Sequence, residues 1–151
     1  MTGSALVVYA TKNGSTPLVA EAIADTLRAS GLSTECRPAR SVRSAVTGFG
    51  LVVLGAPLYT GRWHRDARRF LRRHRPDLPP TAVFALGPRR DDPEAWQRSR
   101  DQLDRALAKH AWLAPTSVAV FGGVDPPGKN AARDLRDWAE IRRWAAQLAA
   151  Q

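Results

Sequence analysis

Four short apolar segments are spaced along the chain, and in each of them the apolar residues follow one another without interruption. They begin at Leu6, Leu51, Ala82 and Val118. Continuous runs of this kind are typical of strands that are buried on both faces, as in a parallel sheet covered by helices. A fifth segment, residues 33–37, has the composition of an edge strand. The sequence therefore predicts five strands.

Apolar residues between these segments recur at spacings of three and four, which places them on one face of a helix. The spacing predicts helices over 19–27, 63–74, 96–107 and 135–148, and a further short helix over 41–47. Strands and helices then alternate along the chain. This alternation predicts an α/β fold, a doubly wound five-stranded parallel sheet with helices on both faces, formed by a single domain over residues 1–151.

Ligands of doubly wound sheets bind beyond the carboxyl ends of the strands, so the candidate functional residues lie in the loops there. The first strand leads into a segment rich in hydroxyl and amide groups that precedes a helix: Thr11, Lys12, Asn13, Gly14, Ser15 and Thr16. A helix N-terminus offers free N–H groups and partial positive charge to a phosphate. The alternative is an ordinary turn with Thr16 as a simple helix cap. The segment has neither the Walker A pattern nor G-x-G-x-x-G.

These loop residues carry a resemblance to a known family. The pattern Thr11-x-Asn13-Gly14-x-Thr16 after an apolar strand resembles the phosphate-binding loop of flavodoxins. Residues 55–64 resemble the second flavin loop of the flavodoxin-like, menaquinone-dependent protoporphyrinogen oxidases, and residues 136–145 resemble their final helix. The chain is thus similar over nearly its whole length to flavodoxin-like proteins, and within them to the protoporphyrinogen oxidase group.

The resemblance implies FMN as the cofactor, with its phosphate on residues 11–16. Its ring would lie against the second and third loops, whose candidate residues are Pro57, Leu58, Tyr59, Thr60, Gly61, Arg62, Trp63, Leu86, Gly87 and Pro88. Tyr59 and Trp63 are the aromatic side chains placed to form a flat wall, although Trp63 fits the helix core equally well. His64 is the candidate catalytic residue, with a packed or solvated histidine as the alternative. No metal is implied.

The implied function is that of an FMN-dependent oxidoreductase with protoporphyrinogen-oxidase-like dehydrogenation. The oxidases carry a long insertion after the fifth strand that is associated with membrane and quinone contact, whereas residues 123–134 form a short polar connection here. A flavodoxin-type electron-transfer protein is therefore the first alternative. A cofactor-free binding module that uses its basic surface is the second.

Charge adds a possible class of partner. The chain has 23 Lys and Arg against 14 Asp and Glu, a net charge of +9. One side of the second predicted helix collects Arg65, Arg68, Arg69, Arg72 and Arg73. Such a face fits an acidic redox partner or a polycarboxylate substrate such as a porphyrin, with at most weak contact with anionic membranes, and a solvated face is the alternative. Nucleic acid is not favoured, because the aromatic residues lie on apolar stripes.

Targeting and redox features are few. No run of eighteen apolar residues exists, and the N-terminus lacks the charged segment of a signal peptide, which favours a cytoplasmic protein. Cys36 is the single cysteine, so there is no intrachain disulfide and no cysteine pair that could hold a metal. We interpret Cys36 as a packed side chain without a chemical role.

Overall fold

Six strands and four helices follow one another in a computed structural model that describes residues 3–11, 15–59, 62–124 and 134–151, with the backbone alone at position 59. The strands are β1 (Ser4–Tyr9), β2 (Ser33–Pro38), β3 (Leu51–Tyr59), β4 (Arg62–Trp63), β5 (Thr81–Leu86) and β6 (Val118–Phe121). The helices are α1 (Thr16–Ala29), α2 (Arg65–His74), α3 (Pro93–Ala108) and α4 (Trp138–Ala149).

The main sheet has the strand order β2-β1-β3-β5-β6, and all neighbours in it are parallel. The order changes direction at β1, which makes the sheet doubly wound and opens a crevice between the ends of β1 and β3. The predicted fold class is confirmed, including the edge position of the strand near residue 33. The additional strand β4 is short and pairs antiparallel with the end of β3.

The helices cover both faces of the sheet, because side chains alternate along each strand. Ala5 and Val7 of β1 pack in the layer of α1 and α4. Leu6 and Val8 of the same strand pack in the layer of α2 and α3. All four side chains are buried, which explains why the strand shows no alternation of polar and apolar residues.

The predicted helix over residues 41–47 is wrong. A short 3-10 turn at Ala39–Ser41 is followed by irregular chain up to β3. Val42 and Val46 produced the helical spacing because both are buried against the α2 and α3 layer. The backbone of this segment is bonded elsewhere: the ring Nε2 of His74 lies 3.1 Å from the carbonyl oxygen of Val42. Two buried valines that anchor an irregular segment therefore have the spacing that is typical of one helix face.

Two helices begin later in the chain than predicted, each for a reason that the structure shows. Helix α2 begins at Arg65 rather than at residue 63, because Trp63 pairs with β3 as part of β4. Helix α4 begins at Trp138 rather than at residue 135, because the Asp137 carboxylate accepts a hydrogen bond from the backbone N–H of Glu140 at 3.1 Å and caps the helix. In the described ranges, none of the helices has the length and hydropathy needed to cross a membrane.

Candidate functional site

The carboxyl ends of β1, β3 and β5 meet at one edge of the sheet. The N–H of Ala10, just after β1, donates to the carbonyl of Gly55 in β3 at 2.9 Å. Pro57 in β3 lies opposite Leu86 in β5 in the register of the sheet. The three predicted loops therefore leave the sheet side by side. The predicted site residues Lys12, Asn13, Gly14, Thr60 and Gly61 lie outside the described residues.

The start of α1 combines an uncapped helix end with an unsatisfied hydroxyl. Ser15 occupies the N-cap position and makes no side-chain capping bond, and no acidic residue lies in the first turn. Thr16 is fully buried, and its Oγ1 has no hydrogen-bond partner among the described residues. A buried hydroxyl without a partner costs about 1–3 kcal/mol. This polar group therefore fits a ligand at the predicted phosphate position better than it fits a structural role.

The second loop is a β-hairpin, which the sequence analysis missed. Leu58 pairs with Trp63, and Tyr59 pairs with Arg62. The N–H of His64 donates to the carbonyl of Pro57 at 3.3 Å and closes the base of the hairpin. The signal was present in the sequence, because two residues ending in glycine between apolar and aromatic flanks are typical of a hairpin connection.

Trp63 is part of the core and not of an exposed wall. Its side chain is 1% exposed and packs with the α2 and α3 layer. The indole Nε1–H donates to the carbonyl of Ala56 at 3.2 Å, which ties β4 back to β3. Trp63, one of the two aromatic residues expected beside a flavin ring, therefore holds the hairpin against the core. The role of Tyr59 stays a prediction.

His64 caps helix α2. Its Nδ1 accepts a hydrogen bond from the backbone N–H of Asp66 at 3.0 Å, and the side chain is largely buried. Burial lowers the pKa of His64, nearby arginines such as Arg65 lower it further, and Asp66 opposes them. The ring is thus neutral at pH 7, as an accepting Nδ1 requires. The catalytic role proposed for His64 stays a prediction, whereas the capping role is directly visible.

Changing His64 to asparagine tests this cap. Asparagine still accepts from the helix N–H but does not titrate, whereas alanine loses the cap and about 1 kcal/mol of stability. The folded-state pKa of His64 lies below its unfolded value, so its stabilising contribution is complete above about pH 6.5 and is lost as the pH falls. We expect the decline in stability between pH 7 and pH 5 to be smaller in His64→Asn than in the wild type, measured by urea unfolding.

His110 contributes to the same decline, because burial and the charges of Arg72, Arg68 and Lys109 lower its pKa as well. Part of the decline should therefore persist in His64→Asn. An unchanged pH profile in His64→Asn would show that the ring of His64 does not titrate in this range.

The third loop is held in place by glycines that follow two neighbouring strands, Gly87 after β5 and Gly123 after β6. A Cβ on Gly87 would lie 2.7 Å from the Cβ of Ser99, so no side chain fits there. The N–H of Gly123 donates to the carbonyl of Pro88 at 2.8 Å, and the N–H of Leu135 donates to the carbonyl of Gly123 at 2.9 Å. The loop after β5 is therefore fastened to the chain after β6. The sequence analysis assigns Gly123 only to the polar connection over residues 123–134.

The lone cysteine and the possible metal ligands of the described residues offer no further chemistry to the site. Burial, with the neighbouring Glu21 carboxylate, raises the pKa of Cys36 to about 12, which keeps the thiol protonated at neutral pH. No three His, Cys, Asp or Glu side chains converge as metal ligands within the described ranges. The polar group that the described chain leaves buried and without a partner at the start of α1 is thus the Thr16 hydroxyl.

A doubly wound parallel sheet with an uncapped helix after β1, and with two further loops at the same edge, defines an α/β protein of the flavodoxin type. A sequence profile described as "Flavodoxin domain" matches residues 6–130. The chain belongs to this family. A comparison with curated proteins gives no significant match.

Solved structures share the fold at low sequence identity. A flavodoxin from Streptococcus pneumoniae TIGR4 is 21% identical with a TM-score of 0.65, and 97% of each chain is covered. A flavodoxin from the domain Archaea is 15% identical with a TM-score of 0.63, covering 97% of this chain and 96% of the other. Fusobacterium nucleatum flavodoxin bound to flavin mononucleotide is 12% identical with a TM-score of 0.57, covering 99% and 96%. Nothing in these comparisons supports the protoporphyrinogen oxidase group in particular.

Proposed function

We propose that the protein binds FMN at the carboxyl edge of its sheet and works as a flavodoxin-type electron-transfer protein. The observation that carries the proposal is the Thr16 hydroxyl, which is fully buried and unpartnered in the first turn of α1. An FMN phosphate would accept a hydrogen bond from it and from the free N–H groups of the helix. The family, and the flavin mononucleotide bound by a flavodoxin of the same fold, support this choice of ligand.

Each loop would hold a different part of the cofactor. Residues 11–16 would bind the phosphate, while residues 57–59 and 86–88 would flank the ring. When bound, FMN supplies the capacity to accept and release electrons. The chain contributes a rigid frame, because the hairpin is tied to β3 through Trp63 and the third loop is tied to Gly123. Such a frame holds the edge in one arrangement before the ligand arrives.

The partner we infer is an acidic redox protein that docks on α2. Arg65, Arg69, Arg72 and Arg73 are exposed along this helix, and Asp66 is its one acidic residue. Arg68 departs from the predicted face, because it is half-buried and lines a cavity between α2 and α3. A surface of one sign speeds encounter with a partner of the opposite sign and makes the rate sensitive to salt.

A second candidate function is protoporphyrinogen-oxidase-like dehydrogenation of an anionic substrate. The observation that favours it is the same exposed arginine row on α2, which suits a polycarboxylate such as a porphyrin as well as it suits a protein. Both candidates require FMN. They differ in how the flavin exchanges electrons: one at a time with a carrier, or as a pair that it accepts from an organic substrate.

Anaerobic redox titration of the FMN-loaded protein separates the candidates. An electron carrier exchanges single electrons, so we expect two one-electron steps separated by about 120 mV or more, a hundredfold difference in equilibrium constant. A single two-electron step at a mild potential would instead support dehydrogenation. A purified protein without a flavin spectrum that also fails to bind added FMN would support the cofactor-free binding module.

A further inference from the structure

A small cationic cavity lies between α2 and α3, on the face of the sheet opposite α1. Its volume is about 170 Å³, and its polar lining consists of Arg62, Arg68, Gln102, Arg105 and Lys109. Trp63 and Ala106 form its apolar wall. We propose that this cavity is a second anion site, separate from the FMN phosphate loop, and that it binds the phosphoryl group of a small ligand.

The charges of the cavity are not neutralised by neighbouring acids. Arg62, Arg68, Arg105 and Lys109 make no ion pair with any described residue, and no carboxylate lines the cavity. The nearest acids in sequence are engaged elsewhere: Asp66 contacts Arg65, and Asp104 pairs with Arg100 at 3.2 Å. Arg62, Arg105 and Lys109 are exposed, and Arg68 is half-buried. Solvent screens the repulsion between these like charges only in part, and an anion between them relieves what is left.

One donor of the cavity is already desolvated. The Nε of Arg68 is buried and has no hydrogen-bond partner among the described residues. A buried charged donor without a partner costs free energy, so an acceptor beside the Nε of Arg68 would recover that cost. Burial is the main cause of the lowered pKa of His110, Arg72 is the second, and the cavity residues Arg68 and Lys109 lower it further.

The size of the cavity limits what it can hold. Sites for drug-sized ligands measure about 300–1,000 Å³, and this cavity is smaller, at about 170 Å³. It fits a phosphoryl group and not a flavin or a porphyrin. Guanidinium groups bind the oxygens of phosphate through paired N–H bonds, and the amide of Gln102 adds a neutral donor.

The test compares two double variants that lose the same charge. Arg105→Gln with Lys109→Gln removes two cations from the cavity, whereas Arg43→Gln with Arg98→Gln removes two exposed arginines outside it. Titration calorimetry with inorganic phosphate, at fixed ionic strength and on protein saturated with FMN, measures the affinity. We expect the affinity of the cavity variant for phosphate to fall at least about tenfold, and the affinity of the control variant to stay within about twofold of the wild type.

Saturation with FMN keeps phosphate away from the loop at residues 11–16, and a repeat on flavin-free Thr16→Val protein covers the case in which FMN does not bind. Glycerol 3-phosphate is titrated in parallel: tighter binding than inorganic phosphate identifies a phosphate monoester as the ligand class, and the reverse identifies the free ion. No saturable binding of either compound, or equal losses in both double variants, would overturn the proposal.

Discussion

Replacing Thr16 with valine should weaken FMN binding by about ten- to hundredfold and, in the same variant, stabilise the flavin-free protein by about 1–3 kcal/mol. Both effects come from one atom. The buried Oγ1 of Thr16 has no hydrogen-bond partner among the described residues, so its burial costs free energy until a ligand accepts from it. Valine has nearly the same shape without the hydroxyl. It therefore removes the cost in the free protein and the hydrogen bond in the complex.

The measurement pairs FMN titration, followed by quenching of flavin fluorescence, with urea unfolding of the flavin-free protein. Thr26→Val is the matched control in the same helix, because the Thr26 hydroxyl donates to the carbonyl of Ala22 at 2.9 Å and faces no predicted loop. We expect the control to leave FMN affinity unchanged. If Thr16→Val destabilised the free protein and left FMN affinity intact, the hydroxyl would be structural and the proposed phosphate site would be refuted.

The central strands β1, β3 and β5 could be predicted from the sequence because their side chains pack in both helix layers. In β5 every residue is buried, so its run of apolar residues has no polar interruption. Edge strand β2 is different: its burial alternates between half-buried and exposed along Ser33–Pro38, and its sequence signal was correspondingly weaker. The apolar pattern that predicts a strand is therefore clearer in the fully buried strand β5 than in the partly exposed strand β2.

The features that the sequence analysis missed depend on contacts between distant residues. The helix assigned to 41–47 failed because Val46 and Val42 are anchors of an irregular segment, and the partner of the Val42 carbonyl, His74, lies in α2. The cavity between α2 and α3 was missed for a similar reason. Arg62 and Arg68 lie in one charged stretch, but Arg105 lies in α3 and Lys109 directly follows that helix. Periodicity within one segment carries no information about such pairs.

At the candidate site, too, some features could be predicted from the sequence and others depend on contacts between distant residues. The stretch at 55–64 resembles a flavin loop in its residue types, and this resemblance implies ligand contacts for residues 57–63 but gives no role to Gly55. The structure gives Trp63 and Gly55 packing roles, Trp63 beneath the hairpin and Gly55 against Phe84 of the neighbouring strand. A motif in a family of proteins therefore includes residues that build the loop as well as residues that touch the ligand.

Gly55→Ala should destabilise the protein by about 3 kcal/mol, because the new methyl group would enter the ring of Phe84, which stands opposite Gly55 in the register of β3 and β5. Phe84 is fully buried, and its ring packs against Phe121 and Trp144 with ring centroids 5.9 and 6.0 Å away. The ring therefore cannot move aside without disturbing the α1 and α4 layer.

A double variant shows whether the ring is the cause. Phe84→Leu shortens the side chain above position 55, so Gly55→Ala combined with Phe84→Leu should be less destabilised than the sum of the single variants, by about 1 kcal/mol or more in urea unfolding. Gly48→Ala is the control, since a Cβ at Gly48 meets no atom within 4 Å, and it should change stability by less than about 0.5 kcal/mol. Additive effects in the double variant, or a loss in Gly55→Ala no larger than in Gly48→Ala, would contradict the assignment. FMN affinity measured on the folded fraction of Gly55→Ala should stay close to that of the wild type, because the glycine makes room for Phe84 and not for the cofactor.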